Sequence, residues 1–391
     1  MSDWLKELYT PDLQELLDAR RTVIAEAEEQ AERVPFPNRM AEALHPAVQH
    51  LRVDRITPRG SCLSYTLVPD PSRGTKSCAM LSAGQYLSIL LNIEGRCLTR
   101  PYSICSTPAE AEQGRYEITV ERVEGGLASR WIHEHWRVGT PVDTSAPEGQ
   151  FCYEPLRDAP HIVALAGGSG VTPFVSLAGA IADGDEDCDL TLLYGTGTRE
   201  DAIYREELAR LAASCSRIRV VHVLEKERLP GCEGGYITAE MIRRHAPAGE
   251  YTVMLCGPRA MYNAMDRELP KLELAGKRIR RELFGETIDP RTLADCPAVF
   301  PEQVTITLRS RGTEQAFSAD PTVSLLRTLE ERGITVPSRC RSGVCGYCRG
   351  RISAGQVYIP AAREHRRMAD APYGWVHLCS AWPLTDVTVE V

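Results

Sequence analysis

Apolar positions along the chain recur with three successive rhythms. Over residues 1–46, Leu5, Leu8, Leu13, Leu16, Leu17, Val23 and Ile24 return at helical intervals, and a Glu/Ala-rich run spans 25–33. This is the spacing of amphipathic helix, which Pro35 and Pro37 should then break. Residues 47–155 change to short alternating stretches between turn residues, with strands expected over 51–57, 61–68, 86–92 and 116–123. Such spacing predicts a small antiparallel barrel, interrupted by one helix over 128–135. Residues 156–287 show apolar runs at 161–166, 189–194, 218–224 and 250–256, alternating with helical segments such as 204–213. Alternation of that kind predicts a parallel, doubly wound α/β sheet. Residues 288–301, with Pro290, Pro297 and Pro301, read as a linker, and residues 302–391 open on a strand at 303–310. The expected fold is a multidomain α+β chain without internal repeats.

Composition changes that picture little. The 391 residues are 43% hydrophobic and 25% charged, as in ordinary globular proteins, with a formal net charge of −8. An acidic chain without a long basic run suits neither nucleic acid nor an anionic membrane. The opening MSDWLKELYTPDLQELLDARR is charged throughout and lacks the apolar core of a signal peptide. No apolar run approaches the ~20 residues of a membrane span. Both features predict a cytoplasmic protein. In that compartment, 14 cysteines point to metal, catalysis or buried thiols rather than disulfides.

Four of those cysteines form a pattern. Cys340, Cys345 and Cys348 stand at x4 and x2 spacing, and Cys379 follows thirty residues later. This is plant-type [2Fe–2S] spacing, in which two irons need four converging thiolates. Gly343 and Gly346 let backbone amides turn toward the sulfurs. A zinc ribbon would carry a second C-x2-C pair, and this segment has only one. Residues 302–391 resemble plant-type ferredoxin domains, through Pro337-Ser338-Arg339-Cys340-Arg341-Ser342-Gly343-Val344-Cys345-Gly346-Tyr347-Cys348. The resemblance implies a β-grasp-like domain whose cluster carries one electron at a time.

Arg100-Pro101-Tyr102-Ser103, at the end of an expected strand, resembles the R-x-Y-S flavin motif of the ferredoxin–NADP reductase family. An Arg suits the flavin phosphate, Tyr102 the isoalloxazine face and Ser103 the N5 edge. Gly125-Gly126, with Ser129 in the following turn, opens the expected helix, and free amides there suit a pyrophosphate. Pro147-Glu148-Gly149-Gln150-Phe151 is similar to the P-x-G-x-F segment closing that family's FAD domain. FAD is therefore favoured over FMN, and residues 47–155 are expected to form the FAD barrel. His133 and His135 are two apart on a helix and face different directions, which argues against a shared metal.

Gly167-Gly168-Ser169-Gly170-Val171-Thr172-Pro173 follows a buried strand and opens a helix, the context of a phosphate-binding turn. It looks like the family's G-G-x-G-x-T-P segment, which implies contacts from Gly167, Gly168, Gly170, Thr172 and Pro173 to the nicotinamide nucleotide. Cys256-Gly257-Pro258 matches its C-G-P motif and should lie beyond the strand ends, with Cys256 beside the transferred hydride. Glu282-Leu283-Phe284-Gly285 resembles the segment that closes on the flavin, with Phe284 as a cofactor contact. After the second strand, Arg199 and Arg205 would suit NADPH, whereas Glu200 and Asp201 would suit NADH, and this choice stays open.

The order of modules resembles the reductase components of multicomponent oxygenases and the reductases of hybrid-cluster proteins. It implies an oxidoreductase passing electrons from NAD(P)H to FAD, then to the [2Fe–2S] cluster and to an external acceptor protein. Tyr102, Ser103 and Cys256 would touch the reacting atoms. The alternatives are a redox-responsive binding protein, and a reductase of a small molecule at the flavin. The extension 1–46 departs from the family pattern, and its leucines exceed what one isolated helix buries.

Overall fold

The computed structural model describes residues 11–26, 35–283, 289–293, 295–297, 299–310 and 312–391. It divides into two compact units, residues 1–44 and 45–391. In the first, helices span Pro11–Glu26 and Phe36–Leu44. Pro37 therefore opens a helix rather than ending one, because its missing N–H falls in the first turn, where no partner is lost. Phe36, Met40 and Leu44 lie four residues apart, on one exposed face of that helix. Leu5, Leu8 and residues 27–33 lie outside the described residues.

The second unit begins with six antiparallel strands, β1 (Gln49–Arg59), β2 (Cys62–Pro69), β3 (Tyr86–Ile93), β4 (Arg96–Ser103), β5 (Tyr116–Glu121) and β6 (Pro141–Thr144). Their order is β4-β3-β6-β1-β2-β5. A bridge between Ile104 and Ile118, with the Cys105 amide donating to the Glu117 carbonyl at 2.7 Å, joins the outer strands and closes the barrel. Alternation decides what each strand buries: Tyr116, Ile118 and Val120 are fully buried in the barrel core. Glu117, Thr119 and Glu121 consequently point to the other face. The helix Leu127–His135 packs Ala128 and Ile132 into the core that Tyr102 borders. At ~1.5–3 kcal/mol per large side chain, this cluster is the barrel's main source of stability.

Next come β7 (His161–Gly167), β8 (Asp189–Thr196), β9 (Ile218–Leu224), β10 (Glu233–Gly234), β11 (Thr252–Cys256) and β12 (Ile279–Arg281). They form a parallel sheet in the order β10-β9-β8-β7-β11-β12. The chain winds outward from β7 through β10 and then returns to β11 on the other side. The crevice beyond β7 and β11 is thus the switch point where such sheets bind ligands.

The last strands are β13 (Val304–Ser310), β14 (Thr313–Ala319), β15 (Arg349–Ala354), β16 (Val357–Tyr358), β17 (Trp375–His377), β18 (Trp382–Pro383) and β19 (Val387–Glu390). Five make a mixed sheet, β14-β13-β19-β15-β17, in which β13 and β19 are parallel. The helix Leu325–Glu331 lays fully buried Leu325, Leu326 and Leu329 into the domain's core. Among the described residues, no helix is long and apolar enough to cross a membrane.

Candidate functional site

The four predicted cluster cysteines meet at the edge of the last sheet. Cys340, Cys348 and Cys379 are buried, whereas Cys345 is exposed. Among the described residues, no three His, Cys, Asp or Glu are gathered closely enough for a single ion. The thiols instead come as two interacting pairs, Cys340 with Cys345 and Cys348 with Cys379. Two pairs suit two irons, each taking two thiolates. A hydrogen bond from Cys345 pulls the Cys340 thiol well down, helped by Ser342 and the amides of Ser342 and Cys345, which donate to its sulfur at 3.5 and 3.4 Å. Backbone turned this way requires left-handed residues, and Gly343 and Gly346 have φ of 85° and 75°. Arg341 adopts φ 57° without that freedom. Its guanidinium is fixed by a buried, two-pronged pair with Glu330 at 2.6 and 2.7 Å. Breaking such a pair from one side costs about 3–5 kcal/mol.

Arg339, next to Cys340, reaches across to the barrel. Its Nε lies 3.3 Å from Glu148 Oε1, an Nη donates to the Ala47 carbonyl at 3.4 Å, and its guanidinium lies 4.7 Å from the centre of the Tyr347 ring. Beside it, the Thr99 hydroxyl donates to the Ser338 carbonyl at 2.9 Å. These contacts seat the cluster loop on the barrel. The pair is half-buried, so replacing Arg339 with Ala should slow reduction of a cluster-dependent acceptor such as cytochrome c about tenfold. Ferricyanide reduction, taken from the flavin, should change little, and a parallel fall in both rates would refute this seating.

On the barrel side, register pairs Tyr86 with Ser103, Leu87 with Tyr102 and Ile89 with Arg100, so β4 presents its motif along β3. Arg100 donates to the Thr99 carbonyl at 2.7 Å. Burial pushes the Tyr102 hydroxyl upward. Ser103 Oγ and Glu282 Oε2 are both buried, and the Ser103 hydroxyl interacts with the Glu282 carboxyl while neither atom has another partner. A buried hydroxyl and carboxyl with no other partners fit a cofactor edge that offers both donor and acceptor. Glu282 sits where the modules converge. Burial raises its carboxyl well above the usual range, Cys340 adds to this, and Arg280 and Ser103 oppose it. The same carboxylate bears on Cys256, whose thiol burial also pushes up. One buried acid thus feels the flavin motif, the C-G-P motif and the cluster motif.

The pyrophosphate candidate is the N-terminus of Leu127–His135. Gly126 caps it without a side-chain hydrogen bond, leaving first-turn amides for a ligand. Gly125 has φ 70°, and Ser129 Oγ accepts from the Val123 amide at 3.2 Å, so Ser129 braces the turn itself. His133 and His135 each bond a backbone carbonyl at 2.9 Å, of Val120 and Trp131 respectively.

The nicotinamide motifs interlock. Gly167 ends β7, residues Gly168–Val171 make a 3-10 turn, and Thr172 and Pro173 start the helix Thr172–Asp183. Thr172 Oγ1 donates to the Ser169 carbonyl at 2.9 Å. A Cβ on Gly170 would lie 2.4 Å from the Cys256 carbonyl oxygen, and one on Gly167 would lie 2.8 Å from Pro258 Cδ. Gly257 approaches Gly167 in return, since a Cβ on it would lie 3.2 Å from the Gly167 amide nitrogen. The two predicted loops therefore form one surface, lining a cavity of about 800 Å³. Phe284 lies outside the described residues.

Several neighbours escaped sequence reasoning. Arg280 is buried against Asp158 at 2.8 Å and also donates to the carbonyls of Cys152 and Gln150, tying β12 to the segment that closes the barrel. Glu148 lay within the P-x-G-x-F motif, and Arg339 beside a ligand, but partners 191 residues apart carry no local signal. Tyr204 had none at all.

Three family models match: an oxidoreductase FAD-binding domain over residues 74–153, an oxidoreductase NAD-binding domain over 164–267, and a 2Fe-2S iron-sulfur cluster binding domain over 308–383. The chain is 30% identical over 313 residues to the ferredoxin reductase component of 3-ketosteroid-9-alpha-monooxygenase from Mycobacterium tuberculosis, covering 79% of this chain and 84% of that protein. It is 27% identical over 326 residues to the reductase subunit of glycine betaine monooxygenase from Pseudomonas aeruginosa, covering 78% of this chain and 86% of that one. Phthalate dioxygenase reductase has the same fold, with a TM-score of 0.61 at 21% identity over 88% of this chain and 98% of its own. The protein is an NAD(P)H-dependent oxidoreductase that passes electrons through FAD and a [2Fe–2S] cluster to an external redox protein, and it belongs to the ferredoxin–NADP reductase family of flavoproteins with a C-terminal plant-type ferredoxin domain.

Proposed function

We propose that the chain is the reductase component of an oxygenase system and that NADH is its donor. The observation that carries this reading is the convergence of three motifs on Glu282. Ser103 and Cys340 both bear on that one buried carboxyl, and the carboxyl bears in turn on the Cys256 thiol. Its relatives' names add the acceptor class, since two of them are reductase parts of monooxygenases.

Residues 47–155 would be the FAD domain, 156–287 the nicotinamide domain, 288–301 the linker and 302–391 the ferredoxin domain. FAD supplies the conversion between hydride and single electrons. Arg100 would bind its phosphate, and amides from Gly125 through Ser129 its pyrophosphate. Tyr102 would cover the ring face while Ser103 meets the N5 edge. Glu282, whose carboxyl burial biases toward the protonated form, would share a hydrogen bond with Ser103 Oγ. The glycines at 167, 168 and 170, with Thr172 and Pro173, would cradle the nicotinamide nucleotide, and Cys256, Gly257 and Pro258 would floor its ring. Cys340, Cys345, Cys348 and Cys379 would hold the irons.

NADH is favoured on charge. The cavity beside the glycine turn carries Glu121, Asp201 and Glu225 against Lys226 and Arg267. The adjoining cavity of about 740 Å³ carries Glu200, Glu206 and Glu227 against Arg199 and Arg205. Acids outnumber cations in both, which disfavours the extra phosphate of NADPH. Steady-state assays should give kcat/KM for NADH at least about tenfold above that for NADPH, a difference of about 1.4 kcal/mol. A ratio favouring NADPH would reverse the assignment.

The acceptor is tested by reducing the protein with NADH without oxygen and mixing it with purified candidate partners from its own genome. Rapid cluster reoxidation by an oxygenase component is expected. Reoxidation by a hybrid-cluster protein alone would overturn the oxygenase reading.

A further inference from the structure

Tyr204 is one of few non-glycine residues here with left-handed backbone, at φ 60°. Such strain persists only where the surroundings over-determine it, and it gathers at working parts of proteins. The surroundings of Tyr204 come from the other module. Its hydroxyl donates to Glu117 Oε1 at 2.6 Å and lies 2.6 Å from Thr119 Oγ1 and 3.1 Å from Ser64 Oγ. The Arg59 guanidinium caps the ring, 3.8 Å from its centre. The same Arg59 pairs with Glu117 at 3.1 Å and with Glu207 at 3.7 Å. The ring is almost completely buried, so this is an interior polar network spanning barrel and nicotinamide sheet.

Strand β5 makes a second bond to that sheet. Glu121 Oε2 accepts from Ser169 Oγ at 2.6 Å, inside the glycine-rich turn. Glu117, Thr119 and Glu121 are two residues apart along one strand, so all three project from the same face. The opposite face is locked by fully buried Tyr116, Ile118 and Val120. One rigid strand thus grips the nicotinamide domain at Tyr204 and at Ser169, about 13 Å apart along the strand, judged from Glu117 and Glu121 at ~3.3 Å per residue. Between these grips lie Asp201 and Ile203, which together with Ser169 and Glu121 line the 800 Å³ cavity.

The geometry points to Tyr204 as a positioning residue for hydride transfer: through Glu117 and Thr119 it fixes the distance and angle at which the nicotinamide cavity faces the barrel. This inference rests on the electron-transfer reading above. Hydride transfer requires reacting atoms within ~3–3.5 Å, and a misplacement of about 1 Å can cost on the order of 100-fold. Tyr204 touches no reacting atom, so its effect should fall on rate rather than on nucleotide affinity.

The test uses the FAD- and cluster-loaded protein. Flavin reduction by NADH is followed in a single turnover without oxygen, beside thermal unfolding and hydrogen exchange. Tyr204→Phe should lower the limiting rate about tenfold or more, leave the NADH dissociation constant within about twofold, and keep the flavin and cluster spectra. Hydrogen exchange should rise over residues 197–204 and stay unchanged over residues 116–120. Thr119→Val, which removes one hydrogen bond and keeps the shape, should give the same pattern in smaller measure and serves if Tyr204→Phe fails to fold. An unchanged limiting rate overturns the proposal. So does a rate loss that merely tracks lost FAD or a lowered melting temperature, because the network is then only structural. If the unaltered protein is not reduced by NADH, the electron-transfer reading itself fails.

Discussion

Replacing Cys345 with Ala should abolish reduction of cytochrome c while sparing reduction of ferricyanide. Cys345 is the exposed member of the four, so its loss empties no core space and should not unfold the domain. What it removes is one of four thiolates, and the partner of Cys340 in the outer pair. We expect the visible and EPR signals of the cluster to disappear or change type. Cytochrome c turnover should fall about 100-fold or more, while the flavin stays reducible by NADH and ferricyanide turnover stays within about twofold. The result separates two enzymes. If electrons leave through the cluster, activity with the physiological acceptor collapses in this variant. If the protein reduces a small molecule at the flavin, that activity survives, and the relay ends one cofactor earlier.

The candidate cluster ligands were legible because their spacing is itself the chemistry: four thiolates must reach two irons from one loop and one later strand end. The flavin and nicotinamide motifs were legible for a similar reason. Arg100, Tyr102 and Ser103 are neighbours on one strand, and the glycines of 167–170 form one turn. Element types followed from rhythm, although β6 (Pro141–Thr144) is too short to show any. Pro37 was misread because a helix start and a helix stop both use proline, and only the following residues decide between them. What stayed hidden is long-range. Arg339 meets Glu148, Tyr204 meets Glu117 and Arg280 meets Asp158. The first two pairs span two modules, the third joins the two ends of the nicotinamide domain, and in every case the partners are far apart in sequence. No periodicity encodes such a contact, and an isolated buried Tyr or Arg reads as ordinary packing. Glu282 lay between these cases. Its motif was visible, but the raised carboxyl depends on burial and on Cys340, Arg280 and Ser103, which only the fold assembles.

Those interfaces also explain why one glycine should matter more than any catalytic side chain of the nicotinamide site. At Gly170 the backbone φ is unexceptional, so the requirement is space. An added Cβ would stand 2.4 Å from the Cys256 carbonyl oxygen and 2.6 Å from both the Cys256 carbonyl carbon and Gly257 Cα. All three are main-chain atoms at the end of a fully buried strand, and no rotamer change can relieve them. Ala at this position must push the glycine turn away from the C-G-P loop, separating the two halves of the cavity. Flavin reduction by NADH should then fall on the order of 100-fold or more, as expected when reacting groups move by about 1 Å. Reduction of the flavin and cluster by dithionite should proceed normally, because neither depends on that cavity. Gly168 is the control within the same turn. It has φ 52° and nothing within 4 Å of an added Cβ, so its constraint is conformational alone. Gly168→Asn, which tolerates left-handed backbone, should retain most of the activity that Gly170→Ala loses. Equal tolerance at both positions would mean that the turn does not need to touch Cys256, and the nucleotide would have to lie elsewhere.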